Sequence, residues 1–143
     1  MVLLIQRVNW AKVEVEGRIV GEIGKGLLVY VGFEREDSEE VVQWGVEKIL
    51  GVKVFGERWE RSVVEEGGEV LLISNFTLPG RLKGKKFNFS RSLEFNRAQE
   101  LFHLLGEKLS SQVNCKMGLF GAMMEVSSSV DGPVNLILRR GEG

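Results

Sequence analysis

Apolar and polar positions set one rhythm in the first third of the chain and another after it. Val2-Leu3-Leu4-Ile5-Gln6-Arg7-Val8 is an apolar run closing on a charge, and Val13-Glu14-Val15-Glu16 alternates as a half-buried strand does. Gly17 marks a turn, Arg18 to Ile23 resumes the alternation, and Gly24-Lys25-Gly26 marks a second turn. Gly26 to Gly32 is continuously apolar, as in a central strand buried on both faces. The period then changes. Asp37-Ser38-Glu39-Glu40 supplies an N-cap candidate and first-turn acids; Val41, Val42, Trp44, Val46, Ile49 and Leu50 follow at helical spacing, with Gly51 as the C-cap candidate. Val52 to Phe55 reads as a short strand and Glu57 to Gly68 as an exposed, charged loop.

Glu69 to Phe76 is the strongest strand signal, and Pro79-Gly80 ends it. Arg81 to Arg91 reads as a basic loop. Phe95, Ala98, Leu101, Phe102, Leu105 and Leu109 form one stripe of a second helix over Phe95 to Ser110. Met124 to Ser129 and Val134 to Leu138 read as two strands around Asp131-Gly132-Pro133, and the tail from Arg139 is expected to fray. This order predicts a single α+β domain, residues 1–143, with a curved antiparallel β-sheet or barrel-like core and two main helices.

Composition narrows the chemistry. The chain has 143 residues, of which 43% are hydrophobic and 27% charged, which excludes a disordered chain. Nineteen basic against twenty acidic side chains leave a net charge of -1, so contact with nucleic acid requires a local patch. One cysteine excludes an internal disulfide, and one histidine excludes a multi-histidine metal site. The apolar start before Arg7 is shorter than the roughly 7–15 residues of a secretory core or the roughly 20 of a membrane span. A cytoplasmic protein that binds no membrane is expected.

With a single histidine, a Ser–His or Cys–His dyad would need His103 itself. His103 falls off the apolar stripe of its helix and reads as solvent-facing, and Cys115 reads as a small hydrophobe near a strand. Gly21 to Gly26 imitates a phosphate loop but lacks its terminal Gly-Lys-Ser/Thr and following helix, so it reads as a hairpin turn. Arg81, Lys83, Lys85, Lys86 and Arg91 are five cations in eleven residues with no acid, interleaved with Phe87 and Phe89. Cations plus rings suit a backbone-tracking nucleic-acid surface; a solvated loop whose phenylalanines tuck into the core is the alternative. Ser74-Asn75-Phe76-Thr77 puts polar groups at the end of a very apolar strand, where backbone N–H groups can face a ligand as an oxyanion-type site requires. Gly132-Pro133 is a rigid turn at a strand entry, either a cis device or a strand-initiating proline.

Taken in order, these pieces resemble the D-aminoacyl-tRNA deacylase family. The resemblance spans nearly the whole chain. It includes Gln6-Arg7-Val8, Val20-Gly21-Glu22-Ile23-Gly24, Gly26-Leu27-Leu28 and Lys48-Ile49-Leu50-Gly51. It continues through Ser74-Asn75-Phe76-Thr77-Leu78, Phe120-Gly121-Ala122, Met124, Val126-Ser127 and Asp131-Gly132-Pro133-Val134. The resemblance implies a homodimer that hydrolyses the ester joining a D-amino acid to the 3′ end of tRNA, clears glycine as well, and uses no metal or organic cofactor. It implies catalytic-site positions at Ser74, Asn75, Phe76 and Thr77, and at Gly132 and Pro133, the last two inserted into the partner subunit's site. It also implies that the 2′-hydroxyl of the terminal adenosine assists the chemistry.

A physical mechanism is expected to follow. Rigid backbone at Gly132 and Pro133 admits a D side chain and obstructs an L one, so discrimination works by exclusion. Phe76 or Thr77 amides meet the ester carbonyl, Phe120 and Met124 bed the adenine, Asn135 adjoins the pocket, and Arg7 braces the Gly-Pro turn. Arg81, Lys83, Lys85, Lys86 and Arg91 hold acceptor-stem phosphates.

The chain departs from the family pattern at four positions. Asn75 replaces Gln, Val130 replaces Asn, Asn135 replaces Thr, and Pro79 replaces Tyr. These departures bear on substrate range more than on fold. Two other readings therefore stand beside the hydrolase: a tRNA-binding dimer with weakened catalysis, and a relative with relaxed chirality.

Overall fold

The two strands expected before Gly17 are one. In the computed structural model, which describes residues 1–141, β1 (Val2–Val15) runs unbroken for 14 residues. A two-residue turn with positive φ at both Glu16 (49°) and Gly17 (78°) returns the chain into β2 (Arg18–Ile23), the twist that suits a tight hairpin. The strand β3 (Gly26–Gly32) then continues beside β1. Ile23 is in register with Ala11 and Gly26 with Val8, so β2 and β3 lie end to end along one edge of β1. Along its other edge lies β8 (Glu125–Arg139), antiparallel.

The remaining neighbours correct the expectation of an antiparallel sheet. β4 (Glu69–Ser74) pairs with β3 in parallel, and β7 (Cys115–Met117) pairs with β4 in parallel, so the sheet is mixed. The reason lies in the connections. The helices α1 (Glu39–Gly51) and α2 (Val63–Glu66) separate β3 from β4, and α3 (Phe95–Ser110) separates β4 from β7. A strand–helix–strand crossover returns the chain to the same end of the sheet, which makes the strands parallel.

Alternate residues of the same strands feed two cores. Val8, Ala11, Val13, Ile23, Leu28, Leu71 and Ile73 pack inside the curl of the sheet. Leu3, Ile5, Leu27, Val29, Val70 and Leu72 face the helices and meet Val41, Ile49, Leu101, Phe102 and Leu105. This double duty is why β3 reads as an unbroken apolar run. The curl is nearly closed at Gly21, where a Cβ would stand 3.1 Å from Leu71 Cδ1 and 3.3 Å from the Met117 carbonyl.

Several local expectations are revised. Residues 52–55 are not a strand; Val54 and Phe55 are buried, and only an isolated bridge joins Phe55 to Arg61. The loop expected over Glu57 to Gly68 contains α2, closed by a capping box between Ser62 and Glu65. Gly51 ends α1 as a helical residue and Val52 caps it, while Ser38 occupies the N-cap position without a side-chain bond. The basic loop is a two-stranded ribbon, β5 (Arg81–Lys83) and β6 (Lys86–Asn88). The two strands expected around Gly132-Pro133 are the single strand β8, and that peptide bond is cis. The tail is held as far as Arg140, whose amide donates to the Met1 carbonyl at 3.2 Å; residues 142–143 lie outside the described residues. No helix among the described residues is long and apolar enough to cross a membrane.

Candidate active site

The parallel strands β3 and β4 end side by side, Val31 in register with Ser74. Beyond their ends opens a cavity of about 310 Å³. Its floor is Val31, Gly32 and Ser74; its walls come from the first turn of α3, from Asn75-Phe76 and from the segment 120–124. Clefts at the carboxyl ends of parallel strands are a usual place for ligands, because the chain leaves the sheet there in diverging loops.

The turn after β4 is pinned at several points. The Asn75 amide donates to the Val31 carbonyl at 2.8 Å, and the Leu78 amide returns to the Asn75 carbonyl at 3.2 Å. Asn75 Oδ1 accepts the Thr77 amide at 3.1 Å and also the Thr77 hydroxyl. The Ser92 hydroxyl donates to the Phe76 carbonyl at 3.0 Å. Among the described residues the Phe76 amide has no acceptor. Of the two amides expected to meet an ester carbonyl, Thr77 is therefore occupied by Asn75 and Phe76 is open.

Of the residues expected from the sequence, the cavity brings together Ser74, Asn75, Phe76, Phe120 and Met124. Phe120 packs edge-on to Phe95 at 5.0 Å between centroids and tilted to Phe102 at 5.5 Å. Met124 reaches towards the inner core, its sulfur 2.8 Å from where a Cβ on Gly118 would stand. Thr77 does not line the cavity. Phe95, Leu93 and Phe33 do line it and were not singled out from the sequence. Phe95 belongs to the apolar stripe of α3, but in the first turn, beyond the core it was expected to join; it is 56% exposed.

Gly132, Pro133, Arg7 and Asn135 stand apart from this cavity. Register gives the separation. Gly32, at the cavity, is opposite Val2, whereas Arg7 is opposite Leu27, five residues further along β1. At about 3.3 Å per residue that is roughly 17 Å along the sheet. Gly132 and Pro133 lie one strand beyond Arg7, both exposed. Arg7 Nε is 3.0 Å from Asp131 Oδ2, and Arg7 Nη1 donates to the Val54 carbonyl at 2.5 Å. A Cβ on Gly132 would stand 3.3 Å from Arg7 Nη2. Arg7 thus links the segment 131–132 to the loop after α1. Asn135 accepts from Gln6 Nε2 at 2.9 Å, so it and Asn75 have separate partners.

The five cations lie on the ribbon and just after it. Lys83, Lys85, Lys86 and Arg91 are exposed. Arg81 is half-buried, and its Nη1 reaches the Pro79 and Gly80 carbonyls at 3.2 and 3.4 Å. His103 is exposed on α3. Burial pushes the Cys115 thiol up to about 11, which leaves it protonated and poorly nucleophilic near neutral pH. Among the described residues no cluster of three metal-ligating side chains forms.

Fold and cavity together define an α+β protein with an apolar pocket, an open backbone donor at its mouth and a basic ribbon beside it. A family model described as D-Tyr-tRNA(Tyr) deacylase matches residues 4–139, and the chain belongs to that family. It is 40% identical over 139 residues to a D-aminoacyl-tRNA deacylase of Nautilia profundicola, covering 96% of this chain and 99% of the relative. It is 41% identical over 142 residues to one from Persephonella marina, covering 96% and 97%. Among solved structures, a c-Myc DNA unwinding element binding protein superposes with a TM-score of 0.92 at 35% identity, covering 97% of this chain and 98% of that one. A probable eukaryotic D-amino acid tRNA deacylase superposes at 0.85 with 15% identity, covering 96% and 97%, a likeness of fold.

Proposed function

We propose that this chain hydrolyses the ester between a D-amino acid, or glycine, and the 3′-terminal adenosine of tRNA, and that it does so as a homodimer. Family membership supports the reaction class. The observation that carries the reading in this structure is the open Phe76 amide at the mouth of an apolar cavity. A donor held there by the Asn75–Thr77 turn can stabilise negative charge as it develops on the ester oxygen, at no cost of reorientation during the reaction. Water adds to the carbonyl carbon, and the C–O bond to the ribose then breaks. The 3′-oxygen leaves with a proton, in our reading through the adjacent 2′-hydroxyl. No side-chain nucleophile is required, which agrees with the exposed His103 and the high thiol pKa of Cys115.

Chirality is judged by exclusion. Gly132 and Pro133 cannot reach their own chain's cavity across the separation that register sets. A second copy can supply them, and the exposed Ile137 on β8 offers an apolar contact for that copy. In this arrangement fixed backbone leaves space for hydrogen or a D substituent and obstructs an L one. A pocket that separates ligands by one methylene yields only ~1–3 kcal/mol, so a rigid wall is the more capable device.

The test is incubation of purified protein with D-tyrosyl-, glycyl- and L-tyrosyl-tRNA, counting surviving ester. Loss of the first two alone is the expected result. Survival of all three at high protein concentration leaves a nucleic-acid-binding module, and loss of the L ester removes exclusion by handedness. Light scattering on the same sample should report twice the chain mass; a monomer that still hydrolyses the D ester refutes the shared site.

A further inference from the structure

The ribbon of β5 and β6 has two unlike faces. Leu82 is opposite Phe87, Arg81 opposite Asn88 and Lys83 opposite Lys86. Residues opposite each other share a face and neighbours along a strand alternate, so Leu82, Phe87 and Phe89 lie on one side and Arg81, Lys83 and Lys86 on the other. The apolar side is open to solvent, with Leu82 65% and Phe87 64% exposed. Isolated apolar side chains at a surface need no explanation, but a connected row of rings does.

The row leads to the cavity. Phe87 and Phe89 are stacked, with centroids 6.2 Å apart and planes at 27°. Phe89 meets Phe76 at 5.3 Å, and Phe76 lines the cavity with its own ring 66% exposed. Phe89 is seated over Gly80, where a Cβ would come within 2.9 Å of its Cε1. The glycine therefore lets the ring sit close, near-parallel to Phe87 and tilted by 56° to Phe76.

Charge and spacing select the occupant. Arg81 to Arg91 holds five cations and no acid, which favours a polyanion over an apolar protein partner. Spacings of 5.3 and 6.2 Å exceed the ~3.4 Å rise of stacked bases in a duplex strand. A strand that lays its bases on these rings must be unstacked and extended, as a single strand can be. We infer that Phe87, Phe89 and Phe76 form a stacking track for the unpaired nucleotides immediately 5′ of the aminoacylated adenosine, with Lys85 at the ribbon's turn and Arg91 beyond its end serving the flanking phosphates. This inference rests on the proposed reaction for the identity of the strand.

Two substrates separate track from reaction site: D-tyrosyl-tRNA, and D-tyrosine esterified to adenosine alone. Phe87→Ala should lower the ratio of kcat/KM on the tRNA to that on the adenosine ester by about 5- to 150-fold, the span of one lost base–ring stack. Phe87→Trp should preserve that ratio. An unchanged ratio for Phe87→Ala overturns the track. The second measurement does not need hydrolysis. Uncharged tRNA carrying 2-aminopurine in place of the nucleotide before the terminal adenosine should change its fluorescence on the wild-type protein as that base leaves its neighbours, and the change should be lost with Phe87→Ala. If the wild type hydrolyses neither ester but shows a Phe87-dependent change, the track stands and the reaction falls. An equal change with both proteins overturns the track.

Discussion

Asn75 holds Thr77: its Oδ1 accepts both the backbone amide, at 3.1 Å, and the side-chain hydroxyl of that residue. The side chain thereby occupies one candidate donor, while its neighbour, the amide of the cavity-lining Phe76, has no acceptor among the described residues. Asn75→Ala should loosen this turn and release the Thr77 amide. A typical intramolecular hydrogen bond contributes ~0.5–1.5 kcal/mol, so kcat should fall by about 3- to 10-fold with KM little changed. Asn75→Asp should keep the turn, since a carboxylate accepts both donors, yet lower kcat further by placing negative charge beside the developing oxyanion. Single-turnover kinetics on D-tyrosyl-tRNA distinguish the two. An aspartate variant faster than the alanine variant refutes the electrostatic part.

Gly32 makes room for that turn. A Cβ at this position would stand 2.6 Å from Pro79 Cδ, 2.8 Å from the Asn75 carbonyl and 2.9 Å from Leu78 Cβ. Two of these neighbours are a backbone oxygen and a proline ring, neither of which can swing aside. Gly32→Ala should therefore cost about 1–3 kcal/mol of stability, the usual range for overpacking a fitted site. It should also displace the Phe76 amide and reduce hydrolysis beyond what the lost stability explains. Urea unfolding beside initial rates at low temperature checks both parts; a fully active, undestabilised variant would falsify the close approach.

Much of this arrangement is legible in the sequence, and the limits have physical causes. The stripe on α3 is legible because one face of a long helix meets one core from Ala98 to Leu109, and the bounds Phe95–Ser110 match, although Phe95 itself turns to the cavity. β3 is legible as doubly buried, but its parallel partner is not, since a run that feeds two cores carries no signal of direction. The ribbon is hidden by its brevity: three-residue strands give one alternation each, too few to separate Leu82 and Phe87 from the lysines around them. Ser74 to Thr77 and Gly132-Pro133 are recognisable by resemblance. Their distance apart is a property of pairing register, which residue identity alone does not express.

Arg7 connects two weak supports of unequal strength. Its ion pair with Asp131 joins a side chain 15% exposed to one 43% exposed, so solvent screens it and its contribution is about 0–1 kcal/mol. The bond to the Val54 carbonyl is charge-assisted and adjoins a buried residue, for which ~1.5–3 kcal/mol is usual. Asp131→Asn should thus be nearly neutral in thermal unfolding, whereas Arg7→Met should lower the midpoint clearly. If Arg7 positions Gly132 for the partner's cavity, Arg7→Met should also raise the relative rate on L-tyrosyl-tRNA. A variant that loses stability but keeps its D/L ratio restricts Arg7 to a structural role.

The loop that receives Arg7 is itself clamped by α2, and the clamp titrates. Ser62 Oγ accepts the Glu65 amide at 3.2 Å, and Glu65 Oε1 accepts the Ser62 amide at 2.9 Å. The Ser62 backbone bond, the Ser62 hydroxyl and the Lys53 ammonium, in that order, hold the Glu65 carboxyl below its ordinary range. A carboxyl depressed in the folded state binds its proton less readily there than in the unfolded chain. Its stabilising contribution is therefore present above the unfolded value, ~4.3, and is lost as pH falls through the folded one. Glu65→Gln keeps an acceptor for the Ser62 amide but cannot ionise. Wild type should exceed it in stability at about pH 7, and the gap should narrow in acid, closing only once pH has fallen below the depressed folded value and the carboxyl is protonated. The neighbouring Glu66, lowered chiefly by its hydrogen bond from Arg61, is common to both proteins and cancels in the difference. Paired urea titrations at neutral and at increasingly acid pH measure it, and a gap that persists unchanged in acid assigns the loss to packing instead of charge.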